Sequence, residues 1–182
     1  MILILDVCSD KLSEIEFVKP IKRILERGGI RCFTKHYLEL NSEELLQADG
    51  VVICDTALED FGYLKQLDLF RWVVGYNRPI LGICAGMQII GILFGCSVVD
   101  RVMIGQFKVS LIKENKLASK KGFYSYFSNT KVIIPNENFV SIAKVYGVDC
   151  IIKHREKDVY GCLFHPEVLN EEIISNFCRI VL

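Results

Sequence analysis

One cysteine stands where a short apolar run meets two flanking glycines. Residues 79–83 predict a buried strand, and residues 85–94 have the apolar character of a helix. The spacing Gly82-x-Cys84-x-Gly86 is the thiol counterpart of a nucleophile elbow, a tight strand-to-helix turn that presents one side chain above a sheet. Glycine suits this turn because its crowded backbone leaves no room for Cβ atoms. A helix that begins at the thiol favours the thiolate, so the spacing predicts a nucleophile.

A histidine that could act as the base follows another predicted strand. His165 comes directly after the apolar segment 159–164 and precedes Pro166, and Glu167 is placed to orient the imidazole. Cysteine, histidine and carboxylate in these roles make a nucleophilic triad. Taken alone, His165 also fits a structural surface histidine, and its pairing with Cys84 is what favours catalysis.

The elements that must position these residues alternate along the first two-thirds of the chain. Apolar strands are predicted at residues 2–6, 30–35, 51–54 and 79–83. Helices are predicted from Pro20, at 42–46 with Asn41 or Ser42 as cap, at 64–74, at 85–94 and after Asn170 as N-cap. Such alternation is typical of an α/β fold with an open, mostly parallel sheet and helices on both faces. The elbow then follows a central strand, and short alternating segments in 106–164 predict extra antiparallel strands in the C-terminal half.

Composition limits the function classes. A chain of 182 residues with 51% hydrophobic and 24% charged residues predicts a single globular domain over 1–182. Twenty-two basic residues balance twenty-two acidic ones, so no overall charge favours nucleic acid or an anionic membrane surface.

The apolar run 80–99 is long enough to span a bilayer, but its glycines favour a buried strand, helix and strand. We therefore expect no membrane segment.

The eight cysteines are scattered and include no C-x-x-C pair. This pattern indicates reduced thiols in a cytoplasmic protein, and it predicts neither a metal site nor another cofactor.

Two motifs together carry a resemblance to a known family. Gly-Ile-Cys84-Ala-Gly-Met-Gln88, followed some eighty residues later by Phe-His165-Pro-Glu167, resembles the class I (triad) glutamine amidotransferases. The similarity extends over nearly the whole chain. In length and layout it is most similar to the separately encoded glutaminase subunits of GMP synthetase.

The resemblance implies hydrolysis of glutamine to glutamate and ammonia, with the ammonia passed to a separate synthase. Cys84 would form a γ-glutamyl thioester, His165 would move the protons, and Glu167 would hold the imidazole. The backbone N–H of Ala85 would supply one oxyanion donor. The residues that the resemblance places at the substrate are Gln88, Gly86, Tyr126 and Phe127.

The second oxyanion donor is expected in the loop after the third strand. The family commonly has Ser-Gly-Gly-Pro there, whereas this chain has Cys54-Asp55-Thr56-Ala57. The donor would be the N–H of Asp55 or Thr56, and both residues adopt positive φ only at a cost. The sequence therefore predicts an unliganded loop with an inactive shape and an activity that depends on a partner.

Two alternatives stay open at this point. The altered loop and the bulk of Tyr126 and Phe127 fit a degenerate relative that binds a ligand or regulates a partner. The same triad could also hydrolyse a different γ-glutamyl or amide substrate.

Overall fold

Nine strands form one mixed sheet in the computed structural model, which describes all residues 1–182. In chain order they are β1 (Ile2–Asp6), β2 (Cys32–His36), β3 (Gly50–Ile53), β4 (Ile80–Ile83), β5 (Ser97–Leu111), β6 (Gly122–Ile134), β7 (Phe139–Val145), β8 (Val148–His154) and β9 (Val159–Cys162). The order across the sheet is β2-β1-β3-β4-β9-β8-β7-β5-β6. Strands from β2 to β9 in this order pair in parallel, and the remaining pairs are antiparallel. The predicted α/β fold class is confirmed.

Helices cover both faces of the sheet. They are α1 (Lys11–Phe17), α2 (Lys19–Arg27), α3 (Ser42–Gln47), α4 (Trp72–Gly75), α5 (Ala85–Leu93) and α6 (Glu172–Val181), with a 3₁₀ helix at Gly62–Phe70. On one face Met87 of α5 lies over Gly161, while on the other Val181 of α6 lies over Gly50. The apolar run 80–99 is divided among β4, α5 and the start of β5. None of the helices combines the length and the hydropathy that a membrane span requires.

Three adjacent strand ends provide the platform for chemistry. β3, β4 and β9 are neighbours and parallel, with Ile53 opposite Gly82 and Ile83 opposite Cys162. Every residue of these three strands is buried, so the strands are held firmly in the core. The segments that follow them therefore emerge side by side at the carboxyl edge of the sheet, where α/β folds place their sites.

A long antiparallel ribbon closes over this edge. β5 and β6 contain 15 and 13 residues, and β6 is the last strand of the sheet. Its middle nevertheless returns to the platform, because the carbonyl of Tyr126 accepts the N–H of His165 at 2.9 Å. The aromatic stretch that follows Gly122 is thus a strand, which the sequence pattern does not predict.

Two predicted helical features are wrong. The helix predicted at 64–74 is a 3₁₀ helix with a kink at Gln66, followed by the short α4. Tertiary contacts override the helical pattern, because Tyr63 bonds Gln88 and Phe70 stacks on Tyr37.

The second error concerns the start of α6, where Asn170 is not the N-cap. Its φ is 81°, a left-handed conformation that asparagine tolerates, and the helix begins at Glu172. The carbonyl of Asn170, and not its side chain, bonds the N–H of Ile173. In contrast, Asn41, one of the two caps predicted for this helix, caps α3, and the structure adds a complete capping box.

Gly86→Ala is expected to lower the free energy of unfolding by about 1–3 kcal/mol, because a Cβ there would collide with the backbone carbonyl of Ile53. Gly75→Ala is the matched control, since a Cβ at Gly75 meets only open space. Urea unfolding of both variants measures the difference. A Gly86→Ala variant as stable as the wild type would contradict this close packing of α5 on β3.

Candidate active site

Cys84 occupies the turn between β4 and α5. Its φ is 45° and its ψ is −97°, a conformation that costs energy in a residue with a side chain and that clusters at functional sites. A Cβ at Gly82 would collide with the backbone of Gly86, so the turn requires glycine there. The thiol is 3% exposed, and its Sγ lies 3.8 Å from the carbonyl oxygen of Ser128 on β6. This geometry is a nucleophile elbow.

His165 and Glu167 follow β9 and face the same turn. Nδ1 of His165 lies 2.9 Å from Oε1 of Glu167, and both side chains are buried. A carboxylate at that distance accepts the Nδ1–H, which leaves Nε2 on the side of the site. Nε2 has no hydrogen-bond partner that satisfies normal geometry.

The side chain of Asp55 lies between the thiol and the imidazole. Its Oδ1 accepts the backbone N–H of Ala85 at 2.9 Å, and its Oδ2 lies 3.3 Å from Nε2 of His165. The distance to Ala85 falls within the range of about 2.7–3.1 Å that defines an oxyanion donor. A carboxylate oxygen of the chain itself thus occupies the position in which an oxyanion would be stabilised.

Asp55 also determines the charges of its neighbours. Burial raises the pKa of Asp55 to about 6, an effect that the charge of His165 and the N–H of Ala85 only partly offset. Burial lowers the pKa of His165, but Glu167 and then Asp55 outweigh it, and the pKa is raised. Burial and the charge of Asp55 raise the pKa of the Cys84 thiol well above its usual value.

The closed site therefore favours a neutral thiol, and it shifts His165 toward its protonated form. The expectation that the start of α5 favours the thiolate is wrong for this conformation. A helix N-terminus contributes only about 0.3–1 kcal/mol at an exposed site, which burial and a neighbouring carboxylate outweigh.

The cavity beside Cys84 is small. Its volume is about 10 Å³, enough for about one water molecule. The lining residues are Asp55, Thr56, Ala57, Leu58, Asp60, Phe61, Tyr63, Cys84, Gln88, Ser128, Asn129 and Thr130. Gln88 is 4% exposed, and its Oε1 accepts a hydrogen bond from the hydroxyl of Tyr63 at 2.7 Å. Binding of a glutamine molecule in this cavity would require the residues that line it to move.

Asp60 holds the loop that carries Asp55. Its carboxylate accepts the backbone N–H and the hydroxyl of Ser9 at 2.7 and 2.6 Å, the hydroxyl of Thr56 at 2.6 Å and the N–H of Gly62 at 3.1 Å. Neither Asp55 nor Thr56 has positive φ. The loop therefore avoids the strained backbone that a glycine-type oxyanion loop would demand.

Some of the remaining predicted site residues lie at the cavity or at Asp55, and the others do not line the cavity. Gln88, Thr56 and Ala85 lie at the cavity or at Asp55. Tyr126 bonds His165 through its backbone, with the two rings 6.1 Å apart. Phe127 is fully buried against the rings of Phe107 and Phe164 and does not line the cavity. Gly86 packs against Ile53 of β3.

Sequence reasoning missed two residues of the site. Tyr63 and Asp60 line the cavity, and no sequence pattern assigns them to it. A buried Gln88 requires a polar partner, so the sequence could indicate that such a partner exists. It could not identify that partner as Tyr63. The potential metal ligands in the site are Asp55, Cys84 and His165, whose ligand atoms lie within 4.8 Å of one another.

Known proteins are similar to most of this chain. The family model for Glutamine amidotransferase class-I matches residues 14–179. The A-subunit of GMP synthase (glutamine-hydrolyzing) from Pyrococcus furiosus is 30% identical over 178 residues, which are 91% of this chain and 93% of that protein. The corresponding protein of Methanococcus maripaludis strain C5 is 33% identical over 112 residues, 56% of this chain and 59% of that protein.

A solved structure shows the same fold. It belongs to a Thermoplasma acidophilum protein provisionally described as the A-subunit of a GMP synthase, with a TM-score of 0.88 and 25% identity. The superposition covers 99% of this chain and 92% of that one.

Asp55→Asn is expected to make the folded protein more stable near neutral pH. Folding raises the pKa of the Asp55 carboxyl from 3.8 to about 6. The free energy of unfolding therefore falls as the pH rises through that interval, by roughly 3 kcal/mol at most. The variant's advantage over the wild type should grow from near zero at pH 4 to about 1–3 kcal/mol at pH 7.5.

Urea unfolding across this pH range in metal-free buffer measures the difference, with the exposed Asp68→Asn as control. If Asp55→Asn were less stable than the wild type at pH 7.5, the buried carboxylate would not lower the free energy of unfolding, and the prediction would be wrong.

Proposed function

The chain belongs to the glutamine amidotransferase class-I family, and from that premise we propose that it hydrolyses glutamine to glutamate and ammonia. The ammonia passes to a separate synthase, with a GMP synthase as the first candidate because the relatives are named as subunits of that enzyme. The observation that carries the proposal is the convergence of Cys84, His165 and Glu167 at two neighbouring strand ends, with Nδ1 of His165 2.9 Å from Glu167. A cytoplasmic location stays the prediction made from the sequence.

The proposed reaction uses these three side chains and one backbone donor. Sγ of Cys84 attacks the side-chain amide carbon of glutamine, its proton goes to Nε2 of His165, and the N–H of Ala85 stabilises the oxyanion. His165 returns the proton to the departing ammonia, which leaves a γ-glutamyl thioester. Water then gives a proton to His165 and cleaves the thioester to glutamate, and the proton restores the thiol. Glu167 positions the imidazole throughout.

The site becomes competent when Asp55 withdraws. Its departure frees the N–H of Ala85 for the oxyanion and removes a charge that raises the pKa of the Cys84 thiol. It also removes a charge that, after Glu167, favours the protonated form of His165, which cannot accept a proton. Movement of the loop 54–57 therefore changes three requirements of the reaction together, which supports an activity that depends on the synthase partner.

The same closed geometry favours a second candidate, a relative that binds a partner without hydrolysing glutamine. The cavity of about 10 Å³ and the occupied N–H of Ala85 support it. In that case Cys84→Ala would leave the physiological activity of the partner unchanged.

Cys84→Ser is expected to lower glutamate release from glutamine by at least about a thousandfold, because the thiol is the proposed nucleophile. The assay compares the chain alone with the chain plus the synthase of the same source. Cys32→Ser, at a half-buried thiol away from the site, is the control. Absent glutamate release together with a Cys84 that resists an electrophilic glutamine analogue, both measured with the partner present, would refute the proposed function.

Asp55→Gly is expected to raise kcat/KM of the isolated chain at least about tenfold. Loss of one oxyanion donor costs roughly 10²–10³ in kcat, so freeing the N–H of Ala85 should recover part of this factor. Asp68→Gly, at an exposed site, controls for general effects. An Asp55→Gly variant that is no more active than the wild type, alone or with the synthase, would show that Asp55 does not block the site.

A further inference from the structure

Three side chains at the elbow match the ligand set of a metal site. We propose that Asp55, Cys84 and His165 bind one Zn²⁺ ion, and that the bound ion holds the nucleophile and the base in an inactive state. Binding rests on the geometry of these side chains alone. Only its inhibitory consequence rests on the proposed function.

The spacing of the ligand atoms suits a small tetrahedral ion. Zn²⁺ lies about 2.0–2.2 Å from imidazole nitrogen and carboxylate oxygen, so two such ligands at a tetrahedral angle stand roughly 3.3 Å apart. Nε2 of His165 and Oδ2 of Asp55 are separated by 3.3 Å. The ligand atoms of all three residues lie within 4.8 Å of one another, so a small movement of the thiol completes the set.

The chemistry of the donors selects zinc over magnesium or calcium. A thiolate and an imidazole are soft or borderline ligands, whereas Mg²⁺ and Ca²⁺ prefer oxygen. Three protein ligands leave a fourth position for water. The adjoining cavity of about 10 Å³, lined by both Asp55 and Cys84, has room for about one water molecule.

The hydrogen-bond geometry of the same nitrogen also suits a metal ligand. Nε2 of His165 is buried without a hydrogen-bond partner, in a residue that is 2% exposed. Its other ring nitrogen is 2.9 Å from Glu167. A carboxylate that accepts the Nδ1–H of a histidine while Nε2 binds the ion is the usual support for a zinc-bound histidine.

Metal binding would also change the protonation of its ligands. The Cys84 thiol releases its proton to solvent as the S–Zn bond forms, and a protonated His165 releases one as the N–Zn bond forms. The dication then faces the thiolate and the carboxylate of Asp55, while Glu167 keeps its contact with Nδ1 of the neutral imidazole. Because protons are released, affinity should fall as the pH is lowered. The bound ion removes both the nucleophilic sulfur and the base nitrogen from catalysis.

The test measures Zn²⁺ binding to the chelator-stripped, full-length chain by competition with a chromophoric chelator. We expect one ion per chain, with binding at least about tenfold weaker in Cys84→Ser and in Asp55→Gly. Cys32→Ser should bind like the wild type. Co²⁺ supplies a second readout, because its thiolate charge-transfer absorption should be present in the wild type and absent in Cys84→Ser.

Wild-type affinity in both site variants, or no ion bound by the wild type at millimolar Zn²⁺, would overturn the proposal and leave Asp55 and His165 as a plain ion pair. Circular dichroism confirms that each variant is folded, and His165→Gln is the substitute should one fail. A chain that binds one Zn²⁺ but releases no glutamate after chelation, with the synthase present, loses the proposed function and keeps the metal site. A chain with glutaminase activity and no zinc binding keeps the proposed function and loses the metal site.

Discussion

The hydrogen bond from the N–H of Ala85 to the carboxylate of Asp55 determines the state of the whole site. It places a negative oxygen where the elbow would stabilise an oxyanion, at 2.9 Å. The other oxygen of the same carboxylate lies 3.3 Å from His165 and helps to raise its pKa. The charge of Asp55 also helps to keep Cys84 in the thiol form. One side chain thus affects the proposed nucleophile, the proposed base and the proposed oxyanion donor together.

This contact follows from the sheet order and from the absence of glycine in one loop. β3 lies directly beside β4, so the residue two positions after Ile53 emerges next to the elbow. Because Asp55 and Thr56 keep negative φ, their loop follows an ordinary path that brings the carboxylate into the site. The contacts of Asp60 with Ser9 and Thr56 then hold that path.

The sequence predicts the three strands β3, β4 and β9 better than it predicts the side-chain contacts at their carboxyl ends. Apolar runs and glycine spacing identify β3, β4, β9 and the elbow, because burial and steric exclusion leave a periodic signal. The loop after β3 lacks the glycines that the family commonly has there, and from that difference the sequence predicts an inactive shape. The direction of the Asp55 side chain is not predictable in this way, because it depends on contacts between residues 30 and 110 positions apart. For the same reason ligand spacing predicts no metal site: Asp55, Cys84 and His165 follow three different strands.

The Asp55 carboxylate lowers the stability of the fold and at the same time restrains the Cys84 thiol. A buried carboxylate with a raised pKa destabilises the fold, and glycine or asparagine at position 55 would avoid that cost. The elbow, however, presents a thiol on a strained backbone beside a histidine, which is a reactive combination once the thiol ionises. Asp55 opposes ionisation through its charge and covers the N–H that would assist attack. The group that lowers the stability of the fold is therefore the same group that restrains the proposed nucleophile, and movement of the loop 54–57 would relieve both effects.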